Sequence, residues 1–156
     1  MSAEDEPETG SAATVISMPI AEVFAAITDV TRMGEWSPEC TAGRWVDGAD
    51  GPTVGAKFEG DNVAAIGPIT LKKWTTTSEV TEFVPGETFE FVSAEYTRWR
   101  YDFIEREGKT VVTESFSYPP YGGWQGFLYG TVMRRNTAMT KGLQTTLDRI
   151  KEVLEG

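Results

Sequence analysis

The sequence predicts an α+β fold in which a curved antiparallel sheet wraps around one long C-terminal helix. Apolar residues recur at three- and four-residue intervals from about Gly123 to Leu154, which is the spacing of a helix with one apolar face. About eighty residues of short segments that alternate apolar and polar side chains precede that helix, a pattern typical of antiparallel strands with one buried face. A sheet that closes on a single helix leaves room between the two. We therefore expect a helix-grip fold with an internal apolar cavity.

The N-terminal residues differ in character from the rest of the chain. Residues 1–11 are acidic, poor in apolar groups and contain Pro7 and Gly10, so we expect a disordered acidic leader. Residues 12–156 should form one domain, because a chain of this length buries enough surface for a single core.

Seven strands and two short helices are expected before the closing helix. Pro19 suits the first turn of a helix over residues 20–28, and a second short helix is expected over residues 30–35. Short turns such as Gly67-Pro68 separate the strands and imply antiparallel neighbours, because a parallel connection needs a long crossover. The predicted strands span residues 13–18, 43–46, 54–62, 69–83, 88–95, 97–105 and 110–118.

Composition excludes several functional classes. The formal charge is −10, and the 14 Lys and Arg residues are scattered, which disfavours nucleic acid and anionic membrane surfaces as partners. No apolar run reaches the length of a membrane span, so we expect no integral membrane segment. The acidic N-terminus does not resemble a secretory signal, and Cys40 has no second cysteine to pair with. A cytoplasmic protein, either a monomer or a homodimer, is the resulting expectation.

The chain contains no histidine. It therefore cannot form a Ser-His-Asp or Cys-His catalytic site, nor a His-ligated zinc site. No glycine-rich phosphate loop, nucleotide fingerprint or metal-ligand cluster is present, so we expect neither a cofactor nor a metal. Acid–base chemistry would depend on carboxyl, tyrosine, lysine or arginine groups.

A series of short motifs adds a family resemblance. In chain order they are "GEWSPE", "VGAKFEGDN", "VTEFVPGETFEF", "WRYDF", "GKTVVTESF" and "GLQTTLDRIK". Their order and spacing, from about residue 13 to residue 154, resemble the polyketide cyclase/dehydrase branch of the START-like (Bet v 1-like, SRPBCC) superfamily. The "WSPE" and "TTLDRIK" forms are similar to actinobacterial members. This resemblance implies the helix-grip fold and a cavity, but no single reaction, because relatives include cyclases, lipid carriers and hormone-binding proteins.

Aromatic side chains on the strands are the main candidates for ligand contacts. Trp99, Tyr101 and Phe103 alternate with charged residues, so one face of that strand is aromatic and should point inward. Ligand pockets are typically lined by such rings, although the same rings could instead fill a packed core. The predicted ligand-binding residues are Trp36, Phe58, Trp74, Phe91, Trp99, Tyr101, Phe103, Phe116, Tyr121, Trp124 and Phe127.

Three of these features have alternatives that the sequence leaves open. Trp36 either lines the cavity mouth or packs the helix pair on the sheet. Glu114 is the carboxyl most readily placed inside, where burial would raise its pKa, but a one-residue change of register would expose it. Glu114 and Tyr101 are thus weak catalytic candidates. The Pro- and Gly-rich aromatic segment 118–129 is a gate of the cavity, an anchor for the helix or a patch for self-association.

Three functions follow from these features. The leading hypothesis is a binding protein that holds a small hydrophobic molecule, of lipid, polyketide or isoprenoid type, between the sheet and the last helix. The second is a cyclase or dehydratase in which tyrosine and glutamate move protons in the same cavity. The third is a protein-interaction module in which the acidic N-terminal residues or the aromatic segment 118–129 contact a protein partner. Whether the protein is an enzyme stays open at this point.

Overall fold

The computed structural model describes the backbone of residues 8–93, 97–118 and 129–156, and the side chains of residues 9–93, 97–118 and 139–156. The strands in this part of the chain are β1 (Glu8–Ile16), β2 (Cys40–Val46), β3 (Lys57–Ile66), β4 (Ile69–Val84), β5 (Thr88–Ser93), β6 (Thr97–Arg106) and β7 (Lys109–Tyr118). The helices are α1 (Ile20–Thr28), a 3-10 helix (Val30–Glu35) and α2 (Tyr129–Glu155).

All seven strands form one antiparallel sheet in the order β1-β7-β6-β5-β4-β3-β2. Strands β2 to β7 form a meander, and β1 returns to pair with β7 at the far edge. The connection from β1 to β2 contains α1 and the 3-10 helix, so both short helices link opposite edges of the sheet. Together with α2, this arrangement confirms the predicted α+β helix-grip fold.

The apolar face of α2 packs on the sheet. Leu143, Leu147 and Ile150 are at most 2% exposed and belong to the hydrophobic core. Their three- and four-residue spacing places them on one side of the helix, as predicted. The N-terminal part of the predicted stripe, Leu128 and Val132, lies outside the described side chains.

Helix α1 covers one part of the sheet. The ring of Phe24 lies 5.5 Å from that of Phe83 and 5.0 Å from that of Phe103, measured between centroids. Val23 and Ile27 of the same helix are also buried. Because α1 fills this region with its own side chains, the space between sheet and helices is packed here.

Strand β1 begins earlier than predicted. Residues 8–11 were expected in the leader, but they continue β1 along β7, from the Glu8–Tyr118 pair to the Ile16–Thr110 pair. Gly10 lies in this strand and not in a disordered leader, and a Cβ at this position would lie 2.6 Å from the ring of Phe116. Glycine is therefore needed at this position, because any side chain would clash with the Phe116 ring that lies against the strand. Residues 1–7 of the predicted leader lie outside the described residues.

Other boundaries differ by a few residues. Strand β2 begins at Cys40 instead of residue 43, and β3 spans Lys57–Ile66 instead of 54–62. Helix α2 is described from Tyr129, and the predicted start at residue 123 lies outside the described residues. No helix of the described chain is long and apolar enough to cross a membrane.

Candidate functional site

A cavity of about 520 Å³ lies between the sheet, the segment after the 3-10 helix and α2. Its wall contains side chains from β3 to β7, so it occupies the concave side of the sheet where α1 does not reach. Six of the predicted ligand-binding residues line it: Trp36, Phe58, Trp74, Phe91, Trp99 and Tyr101.

The alternation of strand residues explains how these rings meet. In β6, Thr97, Trp99 and Tyr101 line the cavity. On β5, Phe91 is the cross-strand partner of Trp99 and points to the same side. Its ring lies 5.0 Å from that of Phe58 on β3. Each strand therefore contributes every second residue to one aromatic wall.

The other face of the same strands carries a charged network centred on Glu90. The guanidinium of Arg98 donates to Oε1 of Glu90 at 2.8 Å, and that of Arg100 donates to Oε2 at 3.2 Å. Thr81 donates a third hydrogen bond at 2.8 Å. Burial raises the pKa of the Glu90 carboxyl, but these hydrogen bonds outweigh the effect and hold the pKa below its usual value. The charges of this face are thus satisfied away from the cavity.

Helix α2 closes the cavity with one face. Met139, Gly142, Leu143 and Thr146 line it at the three- and four-residue spacing of a helix. A Cβ built on Gly142 would meet no atom within 4 Å, so the glycine leaves open space next to the cavity. Thr146 does not offer its hydroxyl hydrogen to the cavity, because it donates to the carbonyl of Gly142 at 2.9 Å.

The segment from Trp36 to Cys40 forms part of the rim. Trp36 is 2% exposed, and the guanidinium carbon of Arg32 lies 5.3 Å from the centroid of its ring. Trp36 therefore packs against neighbouring residues and also lines the cavity. Ser37 Oγ accepts a hydrogen bond from the backbone N–H of Cys40 at 2.9 Å and shapes the turn. Burial raises the pKa of the Cys40 thiol, which suppresses its nucleophilic form.

Glu114 and Tyr101 form a buried polar pair in the cavity wall. They are direct cross-strand partners on β7 and β6, and the Tyr101 hydroxyl donates to Oε1 of Glu114 at 2.8 Å. Both side chains are buried, Glu114 to 4% exposure. In the observed strand register, the Glu114 side chain therefore points inward and not to solvent. Oε2 of Glu114 has no hydrogen-bond partner among the described residues, although it belongs to a residue of the cavity wall.

Burial also determines the protonation of this pair. Loss of solvent raises the pKa of Glu114 to about 8, and the hydrogen bond from Tyr101 offsets only part of the rise. Burial, with the neighbouring carboxyl, raises the pKa of Tyr101 well above its usual value. Near neutral pH both groups are protonated. Since Oε1 accepts from Tyr101, the proton of Glu114 is placed on Oε2, the buried oxygen that has no partner among the described residues.

Small polar residues complete the wall, and aromatic alternation alone did not identify them. They come from alternate positions of the same strands, and Asn62 donates to the Thr76 hydroxyl at 2.9 Å. The only sequence signal for them is this period of two. The set contains Asn62, Thr76, Ser78, Ser93 and Thr97.

Two predicted residues lie away from the cavity. Phe103 shares a strand face with Trp99 and Tyr101, but it lies under α1 against Phe24. Phe116 packs against Tyr118 and Leu143 in a separate cluster. Neither belongs to the described cavity wall, because other side chains cover them. The predicted contacts Tyr121, Trp124 and Phe127 lie outside the described residues, as does most of the proposed gate or anchor segment.

Comparison with known proteins gives one family match. Residues 9–155 match the family model for polyketide cyclase / dehydrase and lipid transport proteins. Among curated proteins, none matches the chain.

Several solved structures are similar over nearly the whole chain. A polyketide cyclase-like protein of Corynebacterium glutamicum is 33% identical, with 96% of this chain and 93% of that one covered and a TM-score of 0.68. An AHSA1-like protein of Aeromonas hydrophila is 22% identical, with 95% and 92% covered and a TM-score of 0.66. A Mycobacterium smegmatis protein is 14% identical, with 96% of each chain covered and a TM-score of 0.64. The last two similarities show only a shared fold, whereas the Corynebacterium protein is also similar in sequence.

Proposed function

Because the chain belongs to the polyketide cyclase / dehydrase and lipid transport family, we propose that it binds one small hydrophobic molecule in the cavity between sheet and α2. The aromatic wall would contact the apolar body of this molecule, and Glu114 would bind its polar group. The observation that carries the proposal is the buried Glu114 carboxyl, whose Oε2 has no partner among the described residues.

The volume and lining of the cavity support this proposal. A cavity of about 520 Å³ falls within the ~300–1,000 Å³ range of small-molecule sites. Its wall combines six aromatic residues with polar side chains at alternate strand positions, and such polar groups can fix the orientation of an apolar ligand. An unpaired buried carboxyl costs about 1–3 kcal/mol, and a ligand oxygen that accepts from Oε2 would remove that penalty.

The protonation of Glu114 indicates which ligand atom fits. A neutral carboxyl donates its proton, so the favoured partner is a carbonyl or ether oxygen. Ionisation removes this donor and places a negative charge beside the ligand oxygen. Affinity for a ligand with a carbonyl should therefore be full below about pH 8 and fall as the pH rises through that value.

Nile red, a neutral apolar dye with one carbonyl, provides a direct test. We expect it to saturate at one molecule per chain and to lose affinity above about pH 8. The Glu114→Gln variant keeps a donor that does not titrate, so its affinity should not change over the same pH range. Failure of the wild-type protein to bind would refute the cavity proposal. Affinity that rises with pH would instead indicate that Glu114 binds as a carboxylate.

A second candidate function is proton-transfer catalysis on a polyketide-type substrate. It is favoured by the Glu114 pKa of about 8, because a general acid or base works best when its pKa lies near the operating pH. Glu114 would donate its proton to a substrate carbonyl oxygen, and Tyr101 would hold the carboxyl in place. A linear poly-β-carbonyl thioester can serve as the probe. In this case Glu114→Gln abolishes turnover while Nile red affinity persists; in a carrier, neither protein accelerates cyclisation.

A further inference from the structure

The hairpin between β3 and β4 exposes an apolar tip. Ile66, Ile69 and Leu71 are 69%, 63% and 62% exposed, which makes them three of the four most exposed large apolar side chains in the described residues. They lie within six residues of one another around a single turn. A monomeric domain rarely concentrates such side chains at one projecting point without an interaction that uses them.

The turn that carries this tip has a defined geometry. Ile66 pairs with Ile69, so Gly67 and Pro68 form a two-residue turn. Gly67 has a φ of +57°, at the position where a type II′ turn places glycine, and Pro68 restricts the next φ. The backbone therefore holds the apolar side chains in place at the end of the hairpin.

The part of this hairpin nearest its tip carries no acidic side chain in an otherwise acidic protein. Residues 62–78 include two lysines and no Asp or Glu, whereas the whole chain has 24 acidic residues against 14 basic ones. Lys72 and Lys73 face Ala64 and Val63 across the strand pair. Neither lysine forms an ion pair with a described residue. Their charges are thus available to an anionic partner.

We propose that the β3–β4 tip docks on anionic lipid bilayers, with Ile66, Ile69 and Leu71 inserted among the acyl chains and the two lysines at the headgroups. Side chains that insert shallowly and basic groups that lie above them are the combination by which peripheral proteins bind such surfaces. The formal charge of −10 disfavours anionic membranes for the protein as a whole. Screening limits that repulsion to about 10 Å, so the local charge of the tip decides the contact.

A protein partner fits this tip less well. Three aliphatic side chains offer on the order of 300 Å² of apolar surface, below the roughly 800 Å² per partner of a stable protein interface. In a two-fold contact with a second copy, four lysines would meet. A bilayer needs neither a larger area nor a complementary shape.

Docking at this point would bring the cavity close to the membrane. Lys72 Nζ lies 5.3 Å from the ring centroid of Trp74, and Trp74 lines the cavity. The tip is thus joined to the cavity wall within a few residues of one strand. This membrane contact is a separate property of the protein, and it can fail while ligand binding in the cavity remains.

Vesicle co-sedimentation of the full chain tests the proposal. We expect the protein to pellet with vesicles of equal phosphatidylcholine and phosphatidylglycerol, and to do so less as salt is added. Ile69→Ser with Leu71→Ser should lower the partition coefficient by about tenfold per side chain. Lys72→Gln with Lys73→Gln should lower it by about fivefold per lysine. Ile104→Ser, an exposed apolar site on β6, is the matched control and should pellet as wild type does.

A labelled variant supplies a second readout. Thr70→Cys with an environment-sensitive fluorophore should shift its emission to the blue on vesicles, whereas Ile104→Cys should not. Labelling is selective because Cys40 is buried. Wild-type protein that does not pellet, or tip variants that pellet equally, would overturn the proposal. So would tip variants that lower the sedimentation mass without vesicles, since the tip would then join copies of the protein. A far-ultraviolet circular dichroism spectrum equal to that of the wild type verifies that each variant is folded.

Discussion

Replacement of Glu114 by glutamine should remove a large pH-dependent contribution to stability. In the folded protein this carboxyl stays protonated up to about pH 8, whereas in the unfolded chain it ionises above its ordinary pKa of 4.5. Between these values the folded state holds a proton that the unfolded state has released. By linkage, the contribution is full below pH 4.5 and is lost as the pH rises to about 8.

The size of the effect follows from the two pKa values. The pKa of Glu114 rises from 4.5 in the unfolded chain to about 8 in the folded protein. At about 1.36 kcal/mol per pKa unit, this difference changes the free energy of unfolding by about 5 kcal/mol. Glutamine imitates the neutral carboxyl and keeps an oxygen that accepts from the Tyr101 hydroxyl. At acid pH the two proteins should therefore be similar in stability. At alkaline pH the variant should be more stable by up to about 5 kcal/mol.

Urea denaturation of both proteins at about pH 5, 7 and 9 measures this difference. Subtracting the two free energies of unfolding cancels the titration of all other groups. Glu105→Gln on β6, an exposed carboxylate, is the matched control and should not reproduce the pH dependence. A difference between wild type and Glu114→Gln that stays constant with pH would refute the assignment of a buried, protonated Glu114.

Three further predictions concern the aromatic wall, the charged face and the core. In a dye titration, Trp99→Ala should weaken Nile red binding about tenfold, because about 1.4 kcal/mol of contact is lost. Phe103→Ala should leave the dye affinity unchanged. In urea denaturation, Phe103→Ala should lower the free energy of unfolding by about 3–5 kcal/mol. Glu90→Gln should cost about 2 kcal/mol at neutral pH, because arginine hydrogen bonds favour the carboxylate, and the cost should shrink on acidification, opposite in sign to Glu114. Leu147→Ala should cost about 2–5 kcal/mol in urea denaturation because this side chain is fully buried; a loss below 1 kcal/mol would contradict the packing of α2.

The register of the catalytic candidates is set by the turn between β6 and β7. Glu107-Gly108 is a turn signal, and both residues have positive φ, 54° and 79°, as a two-residue type I′ turn requires. Such a turn pairs Arg106 with Lys109, and counting back along both strands places Tyr101 opposite Glu114. The turn therefore decides between the two registers that alternation alone leaves open.

Other features could not be obtained from alternation. Trp99, Tyr101 and Phe103 share one strand face, but only tertiary packing shows that α1 covers Phe103 and leaves the other two to the cavity. Register shifts at Ala64/Ala65 and Val80/Glu82 have no clear sequence signal. The local sequence does not show that Gly10 makes room for the ring of Phe116. Local patterns thus specified the elements, while contacts between distant elements set the boundaries and the site.

The most direct test of a ligand-binding cavity is a Nile red titration of the Gly142→Phe variant. The open space beside Gly142 would accept the ring, which would then occupy the cavity from the α2 side. Gln144→Phe, at an exposed position of the same helix, is the matched control. We predict one dye per chain for wild type and Gln144→Phe and loss of binding for Gly142→Phe with α2 intact by circular dichroism. Equal dye affinity in all three proteins would contradict a ligand site between the sheet and α2.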